Sequence, residues 1–163
     1  MPEALLPIVF IIALPILWSI HKELQFALSA RIAMSVMLAV TGIAHFTFTK
    51  GMEMMLPDFV PFKTALVHFT GVLELIAAIG ILVPKYQRVV GRSTILFFIL
   101  IIPANIYACI KGVHIENATY GGDGLAYLWY RIPLQGIFIL WVHLSAIKEW
   151  EIKKKGQGPA KAN

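Results

Sequence analysis

Long apolar stretches recur along the chain, separated by short segments that carry charged residues, prolines or glycines. Five of them are about 17 to 23 residues long, which is the length that crosses the hydrocarbon core of a bilayer as an α-helix. The predicted spans are residues 4–20, 26–48, 64–83, 89–110 and 125–147. Because the apolar runs are continuous and do not alternate with polar residues, they predict helices and not the strands of a membrane barrel.

The composition supports an all-α integral membrane protein. Of the 163 residues, 58% are hydrophobic and 14% are charged, and the mean hydropathy is +0.75. A soluble domain has about 25% charged residues, so this chain has too little polar surface for water. We expect a single transmembrane domain over residues 1–155 and a disordered cytoplasmic tail over residues 156–163. The lone Cys109 rules out an internal disulfide.

A cleaved signal peptide is the alternative interpretation of the first apolar run. The run lacks a basic start, and His21-Lys22-Glu23 follows where a small-residue cleavage site belongs, so we expect a retained helix. With five spans, ten of the 14 Lys and Arg residues fall on one side of the membrane. The positive-inside bias places that side in the cytoplasm, which leaves the N-terminus outside and the C-terminus inside.

The connection Gly51–Phe62 is too short and too interrupted by prolines to cross a membrane. It is rich in Met, Leu and Phe, which predicts an interfacial flap lying on the membrane surface. An ordinary hydrophobic loop packed on the helix ends is an equal alternative. The later connection Val113–Gly124 contains two adjacent glycines followed by Asp123 and Gly124, which is a turn signal.

Glu74 lies near the middle of the third span, so a helix there places its carboxyl roughly 15 Å from either membrane surface. An ionisable side chain at that depth costs on the order of 2.5–3.5 kcal/mol and needs a partner or a wet cavity. Other polar side chains fall in the outer halves of the spans: Arg131, Gln135, Asn105, His45 and His68. The inner halves are expected to be aliphatic. This asymmetry predicts a cavity that opens outward, with Glu74 at its floor and Arg131 on its wall.

Two prolines lie close to these polar groups. Pro103 is two residues from Asn105, and Pro133 is two residues from both Arg131 and Gln135. Each proline removes a backbone hydrogen bond from its helix and bends it. Such interruptions are tolerated at membrane depth where the freed backbone lines a cavity, so the prolines favour a site at this level.

Two tyrosines are further candidates for ligand contacts. Tyr127 lies four residues before Arg131 and therefore shares its helix face, and Tyr107 lies just above Asn105. The aromatic belt at the membrane interface is the alternative explanation for both. Asn105 and Gln135 are likewise as well suited to hydrogen bonds between helices as to contacts with a ligand.

The charged residues and the histidines also have structural alternatives. Glu74 and Arg131 can form a buried ion pair that holds two helices together. His45 and His68 are predicted at matching depth on neighbouring helices, where they could coordinate a metal or a haem. Hydrogen bonding near the interface is the favoured interpretation of the two histidines, because no third metal ligand is evident.

Five stretches of the sequence carry a family resemblance: Thr41–Phe46 (TGIAHF), Leu56–Pro61 (LPDFVP), Gly71–Leu82 (GVLELIAAIGIL), Pro103–Ala108 (PANIYA) and Tyr130–Trp141 (YRIPLQGIFILW). Together they resemble the DoxX family of small bacterial membrane proteins, over roughly residues 26–147. The resemblance implies a four-helix core in the bacterial cytoplasmic (inner) membrane, to which the first helix is additional. It also implies subunits of quinone-linked oxidoreductases, including a thiosulfate:quinone type, or parts of other membrane redox complexes. The positions that match are His45, Glu74, Asn105, Arg131 and Gln135.

The expected function is that of a redox-complex subunit whose outer pocket holds a quinone or a similar lipophilic molecule. Arg131, Gln135 and Asn105 would hydrogen-bond its carbonyl oxygens. Glu74 would donate or accept the proton, so Glu74 and Arg131 are the candidate catalytic residues. Whether the chain is an enzyme stays open.

The alternatives are a non-enzymatic protein that binds or transports a lipid or small molecule, and a membrane assembly or chaperone factor. The expected partners are the lipid bilayer, the lipophilic ligand and other subunits of a redox complex, and not nucleic acid. A quinone is the cofactor that the resemblance suggests, and a haem is not expected.

Overall fold

The chain folds mainly into helices, and 79% of the structure is helical. The computed structural model describes residues 4–22, 25–121, 124–149 and 151–152, with the backbone alone at residues 21 and 124–127. The predicted tail at residues 156–163 lies outside the described residues. All-α architecture is therefore confirmed over the part of the chain that the structure describes.

Seven α-helices and one short hairpin are found in the described residues. The helices are α1 Leu5–His21, α2 Phe26–Thr47, α3 Thr49–Glu53, α4 Lys63–Gly80, α5 Gln87–Leu100, α6 Ile102–Lys111 and α7 Gly124–Val142, which continues into a π-helical segment, His143–Lys148. Four apolar helical stretches are long enough to cross a membrane: Phe26–Thr47, Lys63–Gly80, Gln87–Lys111 and Leu128–Lys148. The apolar part of α1, Leu5–Ile20, is shorter than these.

The fourth predicted span, residues 89–110, is interrupted. It consists of α5 and α6, which meet at Ile101 just before Pro103. Pro103 has no backbone N–H, so it cannot donate to the carbonyl of Ile99 one turn earlier. The predicted bend is therefore present at this proline, whereas Pro133 lies inside the unbroken α7.

Helices α2 and α4 approach each other closely at two glycines. A Cβ atom added to Gly71 would lie 2.7 Å from Cβ of His45, and one added to Gly42 would lie 3.1 Å from the carbonyl oxygen of Gly71. Small residues allow such close backbone approach between apolar helices. Further along, Ser35 Oγ donates to the carbonyl of Ala78 at 2.6 Å. The register of these two helices is therefore fixed at two levels.

Large apolar side chains are exposed on the outer faces of the helices. Examples are Ile11 at 67%, Ile79 at 71% and Leu100 at 67% exposure. The buried core is smaller and includes Met34 and Val142. A protein in water rarely exposes so much contiguous apolar surface, so this distribution suits helices surrounded by lipid.

The predicted flap, residues 51–62, begins against the hairpin. Strand β1 (Val113–His114) pairs antiparallel with β2 (Thr119–Tyr120). A Cβ atom on Gly51 would lie 1.9 Å from the carbonyl oxygen of Ile115, so only glycine fits where the flap meets this hairpin. We call this end of the bundle the flap end.

The flap packs some of its apolar side chains and exposes others. Phe59 and Phe62 are 84% and 85% exposed, whereas Met54 and Leu56 are half-buried. This segment therefore combines features of both alternatives, an exposed interfacial flap and a packed hydrophobic loop.

The glycine contact between α2 and α4 predicts the effect of added side-chain volume. We expect Gly71→Ala to reduce the free energy of unfolding by about 1–3 kcal/mol, because its new methyl group overlaps His45. Gly136→Ala on α7 is the matched control, since nothing lies within 4 Å of its added Cβ, and it should be neutral or slightly stabilising. Thermal unfolding in detergent micelles measures both. Equal melting temperatures for the two variants would contradict the close contact.

Candidate functional site

The carboxyl group of Glu74 is buried beside His45. Glu74 is 5% exposed, and its Oε2 lies 3.8 Å from Nδ1 of His45. The same Nδ1 is 2.8 Å from the carbonyl oxygen of Thr41, so it carries a hydrogen that it donates to the backbone. Both side chains follow the glycines of the α2–α4 contact by three residues, one turn along each helix. The glycine contact therefore sets the distance between the imidazole and the carboxyl.

Thr41 is the third member of this group. Its Oγ1 lies 3.0 Å from the carbonyl of Met37 and 3.2 Å from that of Leu38, and the hydroxyl also neighbours the Glu74 carboxyl. A hydroxyl has one hydrogen, so it donates either to the backbone or to Glu74. Among the described residues, Oε2 of Glu74 has no hydrogen-bond partner. A buried acceptor in this position favours a hydrogen-bond donor from outside the chain.

Glu74 forms an ion pair with His45, and the charge of Arg131 also acts on its carboxyl. The charge of Arg131 acts on Cys109 as well. Arg131 therefore lies near α4 and also near the buried face of α6 that carries Asn105 and Cys109, four residues apart. The electrostatic effect of Arg131 on Glu74 agrees with the predicted convergence of the two side chains, which stays a prediction together with its structural alternative.

Asn105 supplies a second unsatisfied polar atom. Its side chain is 6% exposed, and Nδ2 has no hydrogen-bond partner within the described part of the chain. Leaving a buried amide donor unpaired costs about 1–3 kcal/mol. One buried acceptor on Glu74 and one buried donor on Asn105 are thus both available for a polar molecule.

Gln135 is held by a hydrogen bond within the protein. It is 5% exposed, and its Nε2 donates to the carbonyl of Phe98 at 2.8 Å. Phe98 lies in the last turn of α5, next to the interruption before Pro103. This contact is the interhelical hydrogen bond that was the alternative to a ligand contact.

His68 lies apart from the Glu74 group. Its Nε2 is 3.2 Å from Oγ1 of Thr49, and its ring stacks on Phe46 with centroids 5.3 Å apart. Within the described residues, the polar side-chain contact of His68 is with Thr49 and not with Glu74. Nor do the described residues contain a group of three or more His, Cys, Asp or Glu side chains that could hold a metal ion.

Tyr107 lines a separate cleft at the flap end, with a volume of about 410 Å³. Glu74 does not line this cleft, which differs from the predicted cavity with Glu74 at its floor. Lys111 lies over the Tyr107 ring, with Nζ 5.8 Å from the centroid. The side chain of Tyr127 lies outside what the structure describes. The candidate residues are thus distributed over a buried group around Glu74 and a cleft nearer the flap.

A polar cluster at the opposite end of the bundle was missed by the sequence reasoning. Arg31 is 5% exposed, donates through Nη1 to Oε1 of Gln87, and has Nη2 3.4 Å from Oε2 of Glu149. Gln87 Nε2 donates in turn to the carbonyl of Ala146 at 2.8 Å. Ala146 lies in the π-helical segment, where the regular ladder of backbone hydrogen bonds is disturbed, and the Gln87 amide supplies a donor there.

The expectation of purely aliphatic inner halves is therefore wrong at this end. A second ion pair, between Arg88 and Glu151 at 3.3 Å, lies beside the first. From the sequence, Arg31 was counted only among the Lys and Arg residues that indicate the orientation in the membrane. The signal available was its position five residues inside an apolar helix, where a guanidinium needs acceptors from other helices.

The Arg31–Gln87 contact predicts a stability effect. Gln87→Leu removes one acceptor from a buried guanidinium, which keeps Glu149 as its ion-pair partner, and removes the side-chain donor to the Ala146 carbonyl, so we expect the free energy of unfolding to fall by about 1–3 kcal/mol. Arg92→Gln, at an exposed position of the same helix, should change it by less than about 0.5 kcal/mol. Thermal unfolding of the two variants measures the difference, and similar melting temperatures would show that the cluster is not a stabilising network.

The comparisons with known proteins give one match. A family model described as "Domain of unknown function (DUF8561)" matches residues 34–146, which is more than two thirds of the chain. No curated protein matches, and no solved structure matches. The matched segment runs from the middle of α2 to the π-helical segment, so it contains Glu74, His45, Asn105 and the glycine contact. The chain belongs to the family described as DUF8561.

Proposed function

We propose that this chain is a multi-pass protein of the bacterial cytoplasmic membrane, with the flap end on the extracytoplasmic side. Four helical stretches have the necessary length and hydropathy, and their apolar side chains are exposed. The uneven distribution of Lys and Arg supports the orientation. In this arrangement α1 is a fifth, shorter span, added to the four that the DoxX resemblance implies.

The buried group around Glu74 is proposed to bind the polar head of a small lipophilic molecule of the quinone type. The observation that carries this proposal is the buried Glu74 carboxyl beside His45, whose Oε2 has no hydrogen-bond partner among the described residues, with Asn105 Nδ2 on α6 as a further such atom. A quinone carbonyl accepts a hydrogen bond, as the Asn105 amide requires. A quinol hydroxyl donates one, as the Glu74 carboxyl requires. The two atoms therefore suit both redox forms of one ligand.

An apolar groove supports the lipophilic part of the proposal. It has a volume of about 650 Å³ and is lined by Leu75 and Ala78 of α4 and by Ser35 and Ala39 of α2, among others. Leu75 is the neighbour of Glu74 in the chain, so the groove reaches the level of the buried carboxyl. A hydrocarbon tail lying in this groove would place its head group near Glu74.

His45 extends what Glu74 can do chemically. Reduction of a quinone to a quinol takes two electrons and two protons. Glu74 would exchange one of these protons with the ligand, and His45 at 3.8 Å would stabilise the carboxylate that remains. The second proton would come from water at the extracytoplasmic surface. Arg131 would add a positive charge near the same position. The electrons would come from another subunit of a membrane redox complex, which is the partner that the DoxX resemblance implies.

A non-enzymatic lipid-binding protein is the second candidate function. The hydrogen bonds of Gln135 to Phe98 and of His68 to Thr49 favour it, because two of the predicted ligand contacts are already used inside the protein. In that case the same buried atoms would hold a lipid or small metabolite without any electron transfer.

The proposed quinone site predicts separate effects on the two redox forms. With a short-chain ubiquinone analogue, we expect Asn105→Leu to weaken binding of the oxidised form by about fivefold to a hundredfold, because a buried donor is lost. Glu74→Gln should reduce the affinity for the quinol more than the affinity for the quinone, since a charged acceptor becomes neutral. Titration of purified protein in detergent, together with mass spectrometry of its lipid extract, provides the measurement.

Glu116→Gln is the control for this experiment, because Glu116 is exposed at the hairpin and should leave both affinities unchanged. Absence of quinone from the extract, together with unchanged titrations for both buried-site variants, would remove the quinone proposal. Retention of redox-inert lipids alone, displaced by the same two substitutions, would favour the non-enzymatic candidate.

A further inference from the structure

The cleft at the flap end has the size and the lining of a ligand site. Its volume of about 410 Å³ falls within the range of small-molecule sites, about 300–1,000 Å³. Its polar lining comes from five segments, namely α3, the flap, α4, α6 and the hairpin: Lys50, Glu53, Asp58, Lys63, Tyr107 and Tyr120. The Gly51 contact with Ile115 holds the flap against the hairpin, so these segments enclose one space.

The charges of the cleft are balanced, and part of their bonding capacity is free. Lys63 Nζ donates to the carbonyl of Leu56 at 3.0 Å and to Oδ1 of Asp58 at 3.1 Å, which uses two of its three hydrogens. Glu53 accepts through Oε1 from Thr64 at 2.5 Å, which leaves Oε2 for another donor. Lys50 is exposed at the rim. Lys63 and Asp58 thus form an ion pair, and the Asp58 side chain is 97% exposed. The groups with capacity left for a ligand are the third hydrogen of Lys63, the ammonium group of Lys50 and Oε2 of Glu53.

This arrangement is complementary to a zwitterion. An ammonium group is recognised by carboxylates, and a phosphate is recognised by lysines and tyrosine hydroxyls. A ligand with a single negative charge would leave the carboxylates opposed to it, and a simple cation would leave the lysines opposed. Both charges together, a few bonds apart, match the lining.

The position of the cleft relates it to a membrane surface. Lys63 begins α4, and Glu74 follows eleven residues later, about 16 Å deeper along the helix axis. Phe59 and Phe62 are exposed on the flap beside the cleft. Aromatic side chains prefer the interfacial region of a bilayer, where lipid headgroups lie. The cleft is therefore at headgroup level when Glu74 is near the bilayer midplane.

We infer that the cleft at the flap end binds the phosphate-plus-ammonium headgroup of a membrane phospholipid. Lys50 and the free hydrogen of Lys63 hold the phosphate, and Glu53 holds the ammonium group. The inference rests on the membrane placement proposed above. It does not depend on any ligand at Glu74, since Glu74 does not line this cleft.

Native mass spectrometry of delipidated full-length protein tests the inference. The probes are phosphatidylethanolamine and phosphatidylglycerol with identical acyl chains, added back in detergent. We expect one phosphatidylethanolamine to bind at least about fivefold more tightly than phosphatidylglycerol, because only the former has an ammonium group. Equal affinities for the two lipids would overturn the inference.

Three variants separate the two halves of the headgroup. Glu53→Gln keeps an acceptor for Thr64 but removes the negative charge, so the preference for phosphatidylethanolamine should fall toward equality. Lys50→Gln should weaken binding of both lipids by about fivefold, because both contain a phosphate. Lys85→Gln, at the opposite end of the bundle, should change neither. If the Glu53 and Lys50 variants bind both lipids as the unsubstituted protein does, the cleft is not the binding site.

Glycerophosphoethanolamine, the soluble headgroup without acyl chains, distinguishes a lipid from a free metabolite. We expect it to bind at least about tenfold more weakly than the lipid, because the acyl chains add apolar contact area. Equal or tighter binding would assign the cleft to a soluble zwitterion and overturn the lipid assignment. The quinone titration of the same Lys50 and Glu53 variants should be unchanged, so failure of this inference is separable from failure of the proposed function.

Discussion

The close contact of α2 and α4 at Gly42 and Gly71 is the constraint on which the candidate site depends. A side chain at Gly71 would meet His45, and one at Gly42 would meet the backbone of α4. Because the helices approach this closely, His45 and Glu74 face each other one turn further along. A buried carboxyl is costly without a partner. The glycines thus provide the geometry, and the imidazole provides the partner.

Buried polar groups lie at both ends of this bundle. At the end opposite the flap, Arg31, Gln87 and Glu149 contact one another and join three helical segments. Buried atoms without a hydrogen-bond partner among the described residues occur at both ends, for example Arg31 Nε and Glu74 Oε2. The ligand site is proposed at Glu74 because its carboxyl also has an imidazole 3.8 Å away and an apolar groove that begins at the next residue, Leu75.

The helices were largely predictable from the sequence, because span length and hydropathy follow directly from residue order. The interruption before Pro103 was also foreseeable, since proline lacks the backbone donor. Depth along a helix gave the levels of Glu74, His45 and Arg131, but not the rotation of each helix about its axis. Rotation decides which side chains meet, and it depends on packing between distant segments. The ion pair of Glu74 with His45 therefore did not follow from depth alone.

The pairing of Glu74 with His45 is open to a direct measurement by solid-state NMR in lipid bilayers. Dipolar dephasing between ¹⁵N-labelled histidine or arginine and the ¹³C-labelled carboxyl of Glu74 reports the distances between these side chains. We expect clear dephasing from a protonated Nδ1 of His45, consistent with the 3.8 Å separation from Oε2. Absence of dephasing from His45, with strong dephasing from the guanidinium of Arg131, would contradict the account.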